Sequence, residues 1–263
     1  MKIIEYLLYF FSNFFRISPV SYKGRYDSFL DADKHCIGYD SDEIINKVKQ
    51  STLAVIDGKA EYERDSCLFY SKDINYNLMM YFYKMKMELG NLHIVDYGGA
   101  LGSVFWQHKD IINKLGCSWT VIEQDKFVDF GKSHLEQYGI QFRYSPHSVN
   151  DFPHCNCLLF SSVLQYLNNY EEVIQIGCQS TPDYIVLERT PVNKRKRWIW
   201  IEYVKEPIYY ASYPAFVFLE EDLIKHFTDN NYELIDSWES LVDRPICTFK
   251  DIVVFKSCVF RRK

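Results

Sequence analysis

The chain of 263 residues lacks several features that define familiar classes of protein. Its eight cysteines include no Cys-x-x-Cys pair, and its seven histidines include no pair at i, i+4, so the spacing predicts no structural metal. The excess of basic residues typical of nucleic-acid-binding proteins is also absent, because the formal net charge is −5. We therefore expect reduced thiols in a cytoplasmic protein that is not a general nucleic-acid binder.

The chain also has no apolar stretch of the length that spans a bilayer. Apolar side chains recur at helical spacing in residues 2–16, among them Ile4, Leu8 and Phe11. A helix there would be about 22 Å long, against roughly 30 Å for the bilayer core. Glu5 interrupts it and no small-residue cleavage site follows, so we do not expect a signal peptide. The helix either packs on the body, which we favour, or lies peripherally at the inner face of the membrane.

Three segments are predicted, with no internal repeat or low-complexity tract. Residues 1–20 form the apolar N-terminal helix, and residues 21–90 form a helical cap segment without a convincing strand. Residues 91–263 form a Rossmann-like domain, with a long substrate-side insertion at 190–218.

Strands and helices alternate from residue 92 onward, which indicates an α/β fold with a parallel sheet and helices on both faces. Seven strands ending in an antiparallel pair are typical of the Rossmann-like class I methyltransferase sheet. The predicted strands are Leu92–Tyr97, Ser118–Glu123, Ile140–Tyr144, Cys157–Ser161, Tyr184–Glu188, Tyr232–Trp238 and Asp251–Ser257. The predicted helices include 44–55, 78–89, 103–115, 127–138, 171–178 and 220–230.

A glycine-rich turn follows the first of these strands. The pattern is Asp96-x-Gly98-Gly99-x-x-Gly102, at the point where a Rossmann-like sheet holds a nucleotide-like ligand. A dinucleotide site would have Gly-x-Gly-x-x-Gly, and Asp96 would repel its pyrophosphate. An acid suits the ammonium and sulfonium groups of S-adenosylmethionine, although an ordinary turn also uses glycine.

The next strand ends in an acid with the spacing of a ribose ligand. Glu123 lies 21 residues after Gly102, where a carboxylate accepts hydrogen bonds from a ribose diol. Gln124 follows directly and is predicted at the edge of the adenine. The predicted binding residues for S-adenosylmethionine are Asp96, Gly98, Gly99, Ala100, Gly102, Glu123, Gln124 and Ser161.

Seven blocks of residues, spread over most of the chain, form a pattern more specific than the glycine turn. They are Gly38-Tyr39-Asp40-Ser41, Tyr62-Glu63-Arg64-Asp65, Asp96-Tyr97-Gly98-Gly99-Ala100-Leu101-Gly102-Ser103, Ile122-Glu123-Gln124, Ser161-Ser162-Val163-Leu164-Gln165-Tyr166-Leu167, Arg189-Thr190-Pro191 and Ala211-Ser212-Tyr213-Pro214. In these blocks the chain resembles an uncharacterised family of S-adenosylmethionine-dependent methyltransferases often encoded among genes for surface polysaccharides. The resemblance implies a methyltransferase fold and a small-molecule or glycan acceptor. Where related folds often carry an acid before the fourth strand, this chain has Cys155-Asn156-Cys157.

Polar residues after the fourth and fifth predicted strands are candidates for acceptor binding. Ser162, Gln165 and Tyr166 follow the fourth strand, where the serines either shape the pocket or cap a helix. Arg189 follows the fifth strand and either binds an anionic group of the acceptor or pairs with Glu188 or Asp65.

Two further groups of residues have open interpretations. Arg64 lies in a charged cluster that is either a solvated salt-bridge patch or part of the cofactor or acceptor site. The basic run at 194–197 precedes Trp198 and Trp200 on a predicted loop. This loop is either only solvated, or it contacts a diphosphate or a lipid headgroup. Contact with RNA is a minor alternative. Tyr213 belongs to a group of tyrosines that form either an aromatic wall for the acceptor or core.

The predicted reaction is direct SN2 transfer of a methyl group to an acceptor oxygen or nitrogen. Alignment of the reactants accounts for up to about 7–11 kcal/mol of the barrier. A hydroxyl acceptor also requires a base, for which the candidates are Tyr209, Glu188 and His147. The alternatives are a non-catalytic binding protein on a methyltransferase scaffold and a nicotinamide-dependent oxidoreductase or epimerase. The oligomeric state is not predicted.

Overall fold

A computed structural model describes residues 20–37, 42–206, 208–248 and 251–263. The predicted helix at residues 2–16 and the Gly38-Tyr39-Asp40-Ser41 block lie outside the described residues. None of the described helices is both long and apolar enough to cross a bilayer.

The described residues form thirteen strands and seven α-helices. The strands are β1 (Val20–Tyr26), β2 (Tyr62–Arg64), β3 (Cys67–Phe69), β4 (His93–Tyr97), β5 (Ser118–Glu123), β6 (Ile140–Tyr144), β7 (Cys157–Ser161), β8 (Tyr184–Asn193), β9 (Trp198–Val204), β10 (Ala211–Leu219), β11 (Tyr232–Glu239), β12 (Ile246–Cys247) and β13 (Ile252–Arg262). The helices are α1 (Phe29–Asp33), α2 (Asp42–Ile56), α3 (Tyr76–Leu89), α4 (Ser103–Leu115), α5 (Asp125–His134), α6 (Tyr170–Gln179) and α7 (Glu220–Thr228). Short 3₁₀ turns cover Glu136–Tyr138, Val149–Asp151 and Leu164–Tyr166.

The chain divides into two compact units. Residues 42–160 and Ser180–Ile185 form what we call the central unit. Residues 20–37, Ser161–Gln179 and the described part of Val186–Lys263 form the terminal unit.

The central unit contains a parallel sheet in the order β7-β4-β5-β6. The register places Tyr97 beside Ile122 and Glu123 beside Tyr144, so the carboxyl ends of the strands share one edge. In an open parallel sheet, this edge is where ligands bind. The glycine turn and Glu123 therefore lie on the ligand-binding edge.

Aromatic side chains fill the core of the central unit. Trp119 of β5 is 1% exposed and contacts Phe82 of α3 edge-on, with 5.9 Å between ring centroids. Phe105 of α4 lies 6.0 Å from the same indole ring. Asn75 caps α3 by accepting a hydrogen bond from the Leu78 N–H. The helix before β4 and the helix after the glycine turn are thereby anchored on β5.

The terminal unit is mainly antiparallel. Its strand β9 lies between β1 and β10, while β8 runs parallel to the end of β10. The predicted C-terminal antiparallel pair is confirmed as β11 and β13. Trp198 and Trp200 pack with Ala215, Val217 and Val253 in a buried cluster.

The predicted α/β class and all seven predicted strands are confirmed. The prediction of no strand in residues 21–90 is wrong, because β1 pairs with β9 and β2 pairs with β3. The predicted loop that carries the basic run and Trp198 and Trp200 is also wrong in part, because Trp198–Val204 forms β9. The substrate-side insertion proposed at 190–218 stays a prediction. β1 and β9 are far apart in sequence, so their pairing leaves no local signal. The segment boundaries proposed at residues 20 and 90 stay predictions.

Gly131→Ala is expected to lower the free energy of unfolding by about 1–3 kcal/mol. Gly131 lies on α5 against β6, and a Cβ there would overlap the ring of Phe142. Urea denaturation measures the change. Lys132→Ala is the control on the same helix, since Lys132 is exposed and its contact with the Tyr144 ring is worth less than about 1 kcal/mol. Equal stability of the two variants would contradict the close packing of α5 on β6.

Candidate functional site

The glycine turn adopts a backbone shape that only part of its sequence favours. Gly98, Ala100 and Gly102 have φ angles of 72°, 50° and 91°. The Gly98 N–H donates to the Ile122 carbonyl at 2.8 Å, which ties the turn to β5. Ala100 is a non-glycine residue in the left-handed region, and such strained residues cluster at functional sites.

Asp96 is fully buried beneath this turn. A Cβ on Gly99 would overlap the Asp96 carboxylate, so the glycine is required by the acid that precedes it. The sequence interpretation placed this acid near the cationic groups of a cofactor. Its contact with a cofactor stays a prediction.

Glu123 connects the end of β5 to the glycine turn. Its carboxylate, 8% exposed, accepts the Gln124 N–H at 2.6 Å and also the Ala100 N–H. Burial raises the pKa of this carboxyl to about 7, and the two N–H groups oppose the shift. The predicted residues Ala100, Glu123 and Gln124 therefore lie together, and Gln124 is exposed at the start of α5.

A second buried carboxylate, absent from the sequence-based site, lies at the other end of the turn. Glu63 is 2% exposed and accepts hydrogen bonds from the Ser103 hydroxyl and from the Ser66 N–H. Burial raises its pKa to about 7. The interpretation of residues 62–65 as a solvated patch in a helical segment is therefore wrong for Glu63, which lies in a β-hairpin. The matching Tyr62-Glu63-Arg64-Asp65 block was the available signal.

Arg64 is held within the same hairpin. Its guanidinium pairs with Asp73 at 3.0 Å and lies over the rings of Tyr62 and Phe69, which stack 4.6 Å apart. These contacts engage the side chain that was predicted to bind the acceptor.

In the terminal unit, polar side chains connect the residues after β7 with β8. The Ser161 hydroxyl donates to the Glu188 carboxylate at 3.1 Å, and Gln165 donates to the Ser162 hydroxyl at 2.8 Å. Ser162 and Arg189 have φ angles of 53° and 55°, in the left-handed region. Such strain in two predicted acceptor residues fits a functional edge.

A group of buried and partly buried tyrosines adjoins these residues. The Tyr166 hydroxyl donates to the Glu202 carboxylate at 2.9 Å, and Tyr213 lies edge-on to Tyr166 with 5.2 Å between ring centroids. Tyr209 and Tyr213 are 6% and 7% exposed and are hydrogen-bonded to each other. Burial is the main cause of the raised pKa of Tyr213. Glu202 was missed because it lies in a strand that was predicted as a loop.

Arg189 has a partner that was not considered from the sequence. Its Nε and Nη2 atoms contact the two carboxylate oxygens of Asp243 at 2.8 and 3.0 Å. This bidentate pair is largely buried, with 15% and 17% of the side chains exposed. An anionic acceptor group would therefore compete with Asp243 for the guanidinium group.

The basic run is a turn between β8 and β9. Arg197 is exposed and donates to the Tyr170 hydroxyl at 2.8 Å. Trp198 and Trp200 are 2% and 3% exposed, so they are core residues and have no free face for nucleic-acid bases. The interpretation of these aromatics as part of a contact loop is wrong.

The three candidate bases have different surroundings. Glu188 is 5% exposed and bonded to Ser161, and Tyr209 is buried. His147 is exposed on the segment that follows β6. Among the described residues, no group of three or more His, Cys, Asp or Glu side chains is arranged to hold a metal ion.

The terminal unit also contains a cavity of about 390 Å³. Its floor includes Tyr170, Ile199 and Phe216, and its rim includes Asp27 and Arg197. Ser162, Gln165, Tyr166, Arg189 and Tyr213 do not line it. The predicted acceptor residues of this unit therefore lie outside the cavity.

No protein-family model matches the chain, and no curated protein is significantly similar to it. The N-terminal domain of EvdMO1, solved in the presence of SAH and D-fucose, has a TM-score of 0.50 at 13% identity, over 86% of this chain and 98% of that one. A methyltransferase from Clostridium acetobutylicum ATCC 824 has a TM-score of 0.47 at 8% identity, over 82% and 98%. Burkholderia thailandensis 1,6-didemethyltoxoflavin-N1-methyltransferase has a TM-score of 0.43 at 11% identity, over 83% and 88%. The likeness to EvdMO1 shows the Rossmann-like fold alone.

Glu123→Gln is expected to stabilise the unliganded protein above pH 7. The carboxyl has a pKa of about 7 in the folded chain against a usual value of 4.5, so it keeps its proton longer when folded. The free energy of unfolding then decreases as the pH rises through this window, by up to about 3 kcal/mol. Glutamine removes that loss. Urea denaturation at pH 5 and pH 8 measures it, and a variant no more stable than wild type at pH 8 would contradict the burial of the charge.

Asp243→Asn is expected to lower the free energy of unfolding by about 3 kcal/mol, because it leaves the buried Arg189 without its charge partner. The additional change Arg189→Met should restore part of the loss. Chemical denaturation gives both values. Asp57→Asn is the control, since its pair with Lys59 is exposed and is worth less than about 1 kcal/mol. If Asp243→Asn lowered the free energy of unfolding by this small amount only, the ion pair between Arg189 and Asp243 would contribute no more than an exposed ion pair.

Proposed function

We propose that this protein is an S-adenosylmethionine-dependent methyltransferase. The observation that carries the proposal is the contact between the glycine turn and Glu123. The Glu123 carboxylate accepts the Ala100 N–H at the edge of the sheet where such folds bind ligands. An acid placed there suits a ribose diol, and no Gly-x-Gly-x-x-Gly loop is present for a pyrophosphate.

The polar groups and glycines at this edge of the central unit fit this cofactor. Glu123 is buried and rich in acceptor capacity, since a carboxylate has about four lone-pair sites and two neighbouring N–H groups occupy only some of them. Gly98, Gly99 and Gly102 would hold the cofactor beside Ala100 and Glu123, with Gln124 at the adenine and Asp96 beneath the turn. When bound, the cofactor supplies an activated methyl group.

For the acceptor we propose a small molecule or a glycan, with a link to surface polysaccharides from the family resemblance. Tyr166, which is only partly buried, suits a polyhydroxylated compound, because an aromatic ring packs on the apolar face of a sugar. EvdMO1, with the same fold, was solved with D-fucose present. All eight cysteines are free, and we propose a cytoplasmic location.

Glu188 is the base that we favour for a hydroxyl acceptor. Its buried carboxylate accepts a hydrogen bond from the Ser161 hydroxyl, so the carboxylate is already oriented before it takes a proton from the acceptor. The proton leaves the acceptor oxygen for a base as the new carbon–oxygen bond forms. Tyr209 and His147 remain the other candidates, and of the two only His147 is exposed.

Calorimetric titration with S-adenosylmethionine and with S-adenosylhomocysteine tests the cofactor. A dissociation constant in the micromolar range, about −8 kcal/mol, is expected for at least one of them. Absence of binding by a folded sample would overturn the proposal. A fluorescence titration with nicotinamide cofactors would then test the oxidoreductase alternative, and a protein that binds neither would be a scaffold.

Glu123→Gln is expected to weaken cofactor binding by about 1.5–3 kcal/mol, the value of a hydrogen bond to a charged group. Glu43→Gln is the matched control, with the same change of charge at an exposed position of α2 in the same unit. Calorimetry on both variants measures the effect. Undiminished affinity in Glu123→Gln would remove Glu123 from the site.

A further inference from the structure

Two buried carboxylates bracket the glycine turn within the central unit. Glu123 accepts the N–H of Ala100, in the middle of the turn. Glu63 accepts the hydroxyl of Ser103, the first residue of α4 and the residue that follows Gly102. The segment from Ala100 to Ser103 therefore carries one carboxylate at each end.

No basic side chain neutralises Glu63 in the described part of the chain. The ion pairs found there do not include it, and Arg64, whose charge lowers the pKa of Glu63 only slightly, is held by Asp73. Asp65 adds a like charge, and the charge of Glu63 contributes, after burial and Asp65, to the raised pKa of the Cys67 thiol. The two hydrogen bonds from Ser103 and Ser66 leave lone pairs on both carboxylate oxygens.

A buried carboxylate of this kind favours a cation, because its ionised form is costly without one. The proposed cofactor has two polar ends: a ribose diol, which donates neutral hydroxyls, and an amino-acid part with an ammonium group. Glu123 already matches the diol by its position after β5. The acid at the other end of the turn has the charge that the ammonium group requires.

We propose that Glu63 receives the ammonium group of the amino-acid part of the cofactor. The proposal rests on the proposed function and extends it to the hairpin β2–β3, which holds Glu63 through Ser66 and places it against α4. Glu63 is then a cofactor-binding residue that distinguishes compounds with an amino-acid part from simple nucleosides. Since burial raises its pKa to about 7, binding of the cation also ionises it.

Calorimetry with two compounds tests this assignment. S-adenosylhomocysteine has both ends, whereas 5′-methylthioadenosine has the adenosine and the sulfur but no amino-acid part. Glu63→Gln is expected to weaken the first roughly tenfold or more and the second by less than about twofold. Glu123→Gln should weaken both. Glu61→Gln, an exposed change at the start of the same hairpin, should weaken neither.

Proton release provides a second measurement that needs no variant. Wild-type protein titrated at pH 7 in two buffers of different ionisation enthalpy should release more protons with S-adenosylhomocysteine than with 5′-methylthioadenosine, because only the first ionises Glu63. Circular dichroism of Glu63→Gln shows whether that variant is folded.

Equal weakening of both compounds in Glu63→Gln would overturn the assignment and show that the acid only shapes the turn. Unchanged binding of S-adenosylhomocysteine in that variant, or equal proton release by the two compounds, would also overturn it. These outcomes leave the proposed function standing. If wild-type protein binds neither compound, nor S-adenosylmethionine, the proposed function fails and this inference fails with it.

Discussion

Hydrogen bonds between the Glu123 carboxylate and the N–H groups of Ala100 and Gln124 join the glycine turn to the end of β5. The turn carries left-handed backbone at Gly98, Ala100 and Gly102, and for Ala100 this conformation is strained. The carboxylate holds the N–H of the strained residue, so the turn keeps a shape that its alanine alone would not favour. The shape of the candidate cofactor site depends on this contact together with the hydrogen bond from the Gly98 N–H to the Ile122 carbonyl.

The same acid has opposing effects on stability and on binding. Burial makes its ionised form unfavourable in the unliganded protein, whereas a ligand that donates hydrogen bonds requires that form. Glu63 repeats this arrangement at the far end of the turn. Two buried acids with a pKa of about 7 are a cost that folding alone does not explain, and such groups are frequent at functional sites.

Strain and buried charge are also found in the terminal unit. Ser162 and Arg189 have left-handed backbone next to the pair formed by Ser161 and Glu188. Arg189 is held by Asp243, a residue 54 positions away that no local pattern connects to it. The unit therefore holds the Glu188 carboxylate in a fixed orientation, while the charge of Arg189 is already neutralised by Asp243.

Local patterns determined much of the parallel sheet and its turn. Ser118–Glu123, Ile140–Tyr144 and Cys157–Ser161 were predicted with the observed bounds. The first and third are mainly apolar runs that end at a polar residue, and the second alternates apolar and polar residues. By contrast, β9 was predicted as loop, since a basic run precedes it and its partner strands β1 and β10 follow no local spacing.

By itself the sequence determined the α/β class, the glycine turn and the acid at the end of β5, because spacing along one strand–turn–helix unit settles them. Only the tertiary structure decided that Glu63 lies beside Ser103, that Arg189 pairs with Asp243 and that Trp198 and Trp200 are core residues. The physical reason is that burial and ion pairing depend on residues distant in the chain, which become neighbours only when the strands and helices pack.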